Sequence, residues 1–368
     1  MTSVVESLGL PELIAGILVL ALNAYVLTGG ADFGGGVWDL LAGGPRRDAQ
    51  RALIAHSIGP IWEVNHIWLI LVVVILFAAF PEAFATLGTV LHVPLTLMLV
   101  GIVLRGSSFV FRSYGAQDDS TQRRWGRVFA SASIVTPVLL GMIVGAIASG
   151  AVGEAAGTLL AFQSASGAAT APSFAAIFLA PWLAPFPLAM GALALAMFAF
   201  LAAVYLAVAA RDDLLRDDFR RRGLGAALAM FVAAFGGLAL TLRGSGIVGP
   251  ALELQAATAF AALLAIWALW TRRWPLARIA AAAQVSLILW GWVLAQYPFV
   301  IPPAQTLRDV ASPRITLLLL LYGLLGGSVI LIPSLAYLFR TFAPSVRDAT
   351  SVTQSARGAP DTAAGSGP

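Results

Sequence analysis

Nine blocks of mainly apolar residues, each about 18 to 25 long, leave this chain few ways to fold. They lie near 10–29, 57–80, 84–104, 128–149, 187–209, 224–242, 254–270, 279–297 and 315–339. That is the length a helix needs to cross the hydrocarbon core of a bilayer. Backbone polar groups must pair within the segment in lipid, and the blocks lack the alternation of barrel strands, so all nine are expected to be transmembrane helices of an all-α integral membrane protein. With 59% hydrophobic and only 11% charged residues, and a mean hydropathy of +0.88, the composition is not that of a soluble domain. The absence of cysteine excludes disulfides, thiolate metal sites, iron-sulfur clusters and thioether-linked haem from the chain itself. No cleavable signal peptide is expected, since residues 1–9 carry Glu6 and no basic residue.

Arginine placement sets the expected orientation. With the N-terminus outside, 19 arginines fall in inner segments, among them Arg46, Arg51, Arg105, Arg112, Arg222 and Arg272, against Arg243, Arg308 and Arg314 outside. The positive-inside rule therefore favours nine helices with N-terminus out and C-terminus in. These arginines sit in short loops rather than in a stripe, which argues against a nucleic-acid partner. Residues 1–343 read as one membrane domain and 344–368 as a disordered cytoplasmic tail. The longest connection, about 150–186, is rich in Ala, Ser, Gly and Pro and reads as an external linker.

Polar residues inside such blocks are costly and therefore informative. The second block opens with Pro60-Ile61-Trp62-Glu63-Val64-Asn65-His66-Ile67-Trp68-Leu69. Glu63 and His66, three apart, share a helix face. A Glu-x-x-His pair can be half of a di-iron site, but the second copy is missing, and a zinc-protease motif would need a His before the Glu. What remains is an acid suited either to passing protons or to a structural polar contact. The first block runs into Thr28-Gly29-Gly30-Ala31-Asp32-Phe33-Gly34-Gly35-Gly36-Val37-Trp38-Asp39. Its glycines read as helix packing with a flexible inner end. Asp32 is either a solvated interfacial carboxylate or an acid at a proton inlet. Arg105, after the third block, is either a snorkelling anchor or a cation facing the bundle. On the expected topology Asp32, Glu63 and Arg105 lie on the same, inner side. The histidines are His56, His66 and His92, a poor axial pair for haem, so the chain is expected to hold no cofactor and no metal.

The order of these motifs resembles subunit II of the cytochrome bd family of quinol oxidases. The resemblance rests on Asp32-Phe33-Gly34-Gly35-Gly36, on the Pro60 to Leu69 stretch, on Arg105-Gly106 with Phe109 and Phe111-Arg112, and on Tyr297-Pro298, and it covers roughly residues 10–340. It implies a multi-pass subunit of the bacterial cytoplasmic (inner) membrane with two four-helix bundles and a peripheral helix. Its partner would be a haem-bearing subunit I that holds haem b, haem d and the quinol site. A small accessory membrane subunit and membrane lipids are further partners on this analogy. The chain itself would carry no haem and no catalytic residue. It would contribute scaffold, a structural quinone or lipid with Trp62 as a contact, and part of a cytoplasmic proton path. In that path Glu63 is the relay acid, Asp32 the acid at the inlet, and Arg105, Asn65 and His66 its polar surroundings. Two departures mark a divergent branch: Gly29 and Val110 stand where the family commonly has acids. The competing readings are a proton-coupled secondary transporter, which would normally show internal repeats, and a purely structural assembly subunit.

Overall fold

The computed structural model describes the backbone of residues 9–114, 119–164, 171–244 and 252–357. The side chains of residues 58–63, 113, 114, 119, 242–244, 252, 339 and 342–357 lie outside the described set. Eight helices among these residues are long and apolar enough to cross a membrane, or nine if one sharply bent pair is a single span. The chain divides into two units, Met1–Leu321 and Tyr322–Pro368, with the boundary inside the last helix.

Helix α1 (Leu10–Leu40) begins at a favourable proline, Pro11, and does not stop at its glycines. The expectation of a first helix ending near 29 with a flexible inner end is thus corrected. Residues 29–39 are helical and buried. The reason is close packing: a Cβ at Gly34 would overlap the Phe198 carbonyl, and one at Gly36 would overlap the Ser133 side chain. Glycine is costly in a solvated helix, but here it lets α1 approach two neighbours at backbone distance.

Helix α2 (Arg47–Ala79) ends at Phe80, where Pro81 supplies no amide to continue the ladder. Pro81 instead starts the short helix α3 (Pro81–Val90), turned by 115° from residues 64–79. The third span, expected over 84–104, therefore begins at His92, in α4 (His92–Tyr114). Helix α5 (Asp119–Ala148) follows. The expected linker at 150–186 is instead largely helical, with α6 (Ala151–Ser164), α7 (Phe174–Phe178) and α8 (Ala180–Leu183). Its alanines are strong helix formers, and the Ser173 Oγ caps α7 by accepting from the Ala176 amide at 3.2 Å.

The second half contains α9 (Pro185–Ala209), α10 (Asp213–Gly244), α11 (Leu252–Trp270) and α12 (Trp274–Gln296). A two-residue-wide hairpin of β1 (Phe299–Ile301) and β2 (Gln305–Thr306) leads to α13 (Arg314–Arg357). The backbone of α13 is helical into the tail expected to lack structure, while residues 358–368 lie outside the described residues.

Packing falls into two groups. Helices α1, α2, α4 and α5 form one, with α1 against α2 and α5, and α4 against α5; helices α9 to α12 form the other. The all-apolar α9 is the common wall, touching α1, α5, α10 and α12, and its residues 198–204 are buried. Polar clamps join the groups at one end. Arg46 donates to both Asp218 oxygens at 2.6 and 2.7 Å, Arg222 donates to the Leu41 carbonyl and Gln50, and the Trp38 indole donates to the Ala199 carbonyl at 2.8 Å. The hydrogen bond to Asp218 raises the Arg46 pKa above the ordinary arginine value. At the opposite end Arg308 donates to Glu12 at 2.6 Å, and Ser312 bonds the Ala78 and Ala79 carbonyls that end α2.

Candidate functional site

The largest fully buried side chain among the described residues is an arginine. Arg105, 2% exposed, is wedged between α1, α4 and α5. It fits because the helices around it are pared down: Gly101, one turn earlier on α4, faces Thr136 on α5 so closely that a Cβ would collide with the hydroxyl. Nearly every donor of the guanidinium is used. Nη1 donates to Asp32 Oδ2 and Nη2 to Asp32 Oδ1, each at 2.6 Å; Nη2 also reaches the Asp32 carbonyl at 2.8 Å, and Nε reaches Ser133 Oγ at 3.0 Å. Its flat faces meet the Phe33 and Phe129 rings at 4.7 and 4.9 Å. Of the two readings open for Arg105, the structure selects the cation facing the bundle. Asp32, with no exposed surface, is likewise a buried partner rather than a solvated carboxylate.

Helix α2 brings the third member. Asn65 is 2% exposed and accepts from Thr28 Oγ1 at 3.1 Å. Asn65 and the His66 ring both lie within the electrostatic reach of the Asp32 carboxylate. A Cβ at Gly29 would stand 3.1 Å from both amide atoms of Asn65. Position 29 thus faces space that Asn65 occupies. Glu63 and Trp62 continue the backbone of α2, but their side chains lie outside the described residues. Four of the five residues expected in the proton path, Asp32, Arg105, Asn65 and His66, therefore meet in one cluster.

A second ion pair repeats this arrangement seven residues further along both helices. Asp39 is 4% exposed and accepts from Arg112 at 3.1 Å, with Arg51 at 3.7 Å from its other oxygen. Both offsets, 32 to 39 and 105 to 112, correspond to two helical turns, a rise of about 10 Å. Phe129 lies between the two rungs, since its ring also meets the Arg112 guanidinium at 5.2 Å. A cavity of about 150 Å³ opens beside Asp39, Arg112, Gln122 and Phe129, room for a few waters at liquid volume. Sequence reasoning left Asp39 unused and counted Arg112 among the inner arginines. The matched seven-residue offset was the signal that could have paired them.

The histidines are dispersed. His92 Nδ1 lies 2.9 Å from the Thr89 carbonyl and its ring is edge-on to Phe178. Among the described residues no three His, Asp or Glu side chains gather as a metal centre.

Known proteins resemble this chain in sequence and in fold. The family model for Cytochrome bd terminal oxidase subunit II matches residues 10–342. The Cytochrome bd ubiquinol oxidase subunit 2 of Bacillus subtilis (strain 168) is 30% identical over 128 residues, 34% of this chain and 36% of that protein. The Cytochrome bd-I ubiquinol oxidase subunit 2 of Escherichia coli (strain K12) is 29% identical over 138 residues, 38% of this chain and 35% of that protein. The matched segment thus spans about a third of the length of these relatives. A chain of the bd oxidase from Geobacillus thermodenitrificans shares the fold, with a TM-score of 0.71 at 20% identity, over 90% of this chain and 98% of that one.

Proposed function

Because this chain belongs to the cytochrome bd terminal oxidase subunit II family, we propose that it is the haem-free half of an oxidase coupling quinol oxidation to reduction of oxygen to water. It is a multi-pass protein of the bacterial inner membrane. Its partner on this reading is the subunit I that carries haem b and haem d. A small accessory membrane subunit, surrounding lipids, and a quinone or lipid contact at Trp62 belong to the same reading. The chain's own contribution is scaffold plus part of a proton route from the cytoplasm, the N-terminus lying outside as the arginine distribution favours.

The observation that carries the proton route is the buried Asp32–Arg105 pair with Asn65 and His66 around it. An ionised pair in a membrane bundle is expensive to bury and is retained chiefly where it does something. Both Asp32 oxygens are occupied by Arg105, so the pair fits a fixed electrostatic frame better than a moving proton carrier. The mobile acid is then Glu63, two residues before Asn65. The outer rung of Asp39 and Arg112, with its small polar cavity, forms the approach from the cytoplasmic surface. The same full occupancy of the Asp32 oxygens favours one second reading, that the cluster only holds the subunit together.

Purification from native membranes with a reduced-minus-oxidised spectrum tests the assembly, and absence of any haem-bearing partner would sink the oxidase reading. For the route, Glu63→Gln is expected to lower oxygen-consumption turnover at least tenfold with haem content unchanged. Unaltered turnover would leave the cluster as structure.

A further inference from the structure

At the end of the bundle where Arg46 and Arg222 join the two helix groups, the seam opens into a polar cavity of about 340 Å³. One wall is the Gly43-Gly44-Pro45 turn that leads into α2; the facing wall is α10, with Arg221 and Arg222. Gly44 takes a φ of +73°, a left-handed conformation that glycine adopts without strain. Helix α2 therefore begins at the cavity. The first amides of a helix have no acceptor within it, and that end carries a partial positive charge.

Three guanidinium groups and one carboxylate line this space, and they are not equivalent. Asp218 is already committed, since Arg46 donates to both its oxygens and Gln50 donates to one at 3.0 Å. Arg222 is held in place by neutral partners only. Its Nη2 donates to the Leu41 carbonyl and to Gln50 Oε1, and its guanidinium lies 5.7 and 5.2 Å from the Trp38 and Phe219 rings. Its Nη1 is buried with no acceptor. Arg221 is exposed and has no hydrogen bond or ion pair among the described residues. Other arginines of α10 are differently placed: Arg216 donates to Asp213 and to the Ala210 carbonyl, and Arg220 to the Leu269 carbonyl. The cavity wall thus keeps an excess of positive charge drawn from both helix groups.

We propose that this cavity binds the phosphate group of an anionic ligand, with Arg221 and Arg222 on one side and the turn into α2 on the other. A guanidinium fork matches pairs of phosphate oxygens, and a helix N-terminus favours the same charge. The volume equals that of about eleven waters in the liquid, room for a phosphate and the atoms that carry it. Two sources offer this chemistry, a phospholipid headgroup and a soluble phosphate ester. Leu40 and Leu41, just before the turn, are 46% and 56% exposed, an apolar surface that suits the lipid. The site needs neither a haem-bearing partner nor the proton route, so it stands independently of the oxidase reading.

The test uses the intact complex in detergent and a phosphatidylglycerol that carries a diazirine on its headgroup, with labelled peptides mapped by mass spectrometry. Label is expected on peptides that contain Leu41 to Gln50 or Asp218 to Arg222. Excess unmodified phosphatidylglycerol should reduce it at least fivefold, whereas equal excess of diacylglycerol, which has the chains without the phosphate, should not. Arg221→Glu reverses a charge on the wall without removing a bond and should lower labelling at least fivefold. Arg211→Glu makes the same change of net charge at an exposed position outside the cavity and should alter it less than twofold. Absence of label from these peptides overturns the proposal, and so does unchanged labelling of Arg221→Glu. Equal loss in the two variants also overturns it, as a general attraction of lipid to a positive surface, and competition by diacylglycerol does so as a site for chains alone. Glycerol phosphate distinguishes the sources. Displacement of the probe at the same concentration as phosphatidylglycerol supports a soluble ester in the phosphate site, and failure to displace supports the lipid there. If a variant fails to accumulate, the competition in the wild-type complex decides. A missing haem-bearing partner would sink the oxidase reading without altering the labelling result.

Discussion

The two helix groups solve the same solvent problem in opposite ways. Every buried polar or charged side chain among the described residues, Gln284 excepted, lies on α1, α2, α4 or α5. In that group ion pairs are set into the apolar interior, and glycine is used to make room for them. The α9–α12 group has almost no buried polarity and leaves a large apolar cavity with one buried amide facing it. Lipid tails are as apolar as leucine, so the hydrophobic effect cannot by itself favour helix association in the bilayer. The charged group is held by directional bonds that either fit or fail. The apolar group is held by contact alone, which tolerates an empty space.

The contrast predicts unequal responses to substitution. Arg105→Met should be the most damaging change, because it leaves Asp32 buried without its partner at a cost of about 3 to 5 kcal/mol. The expected result is loss of assembled complex on size-exclusion chromatography. Asp32→Leu combined with Arg105→Met should recover assembly in part, since removing both charges is far less costly than removing one. Gly34→Val comes next: its side chain would push α1 from the Phe198 carbonyl, an overpacking cost of about 1 to 3 kcal/mol, visible as a lower melting temperature. Asp39→Asn should cost less, about 1 kcal/mol, because Arg112 and Arg51 are partly solvated. Yet it should reduce turnover more than stability if the outer rung serves proton uptake. Gln284→Met should be the mildest. In delipidated protein it is expected to leave the melting temperature unchanged or raise it slightly, because it removes an unpaired amide. A large drop there would erase the distinction between the groups.

Hydropathy displayed the membrane class and most of the spans, since each needs only a long apolar run. It could not locate the break between α2 and α4. Residues 57–104 are apolar with little interruption, and a segment folded back at 115° has the same composition as one that continues straight. Pro81 was the local sign. Small-residue composition likewise hid α6 inside an apparent linker. At the site, Asp32, Asn65 and Arg105 could be singled out because polarity in an apolar block is conspicuous. Asp39 and Arg112 sit where each block meets the loops, and there a charge looks ordinary until its partner across the bundle is known.

The contact between Gly29 and Asn65 bears on how position 29 could change. Asn65 accepts from Thr28, so a side chain at position 29 meets an amide that is already committed. Placing an acid at position 29 in a single step would crowd that amide before any new route could form. The order of substitutions then matters: the amide must shrink or swing away first, and the acid can follow. Substitution at position 29 is thus path-dependent, and two residues on different helices would be expected to change together or not at all.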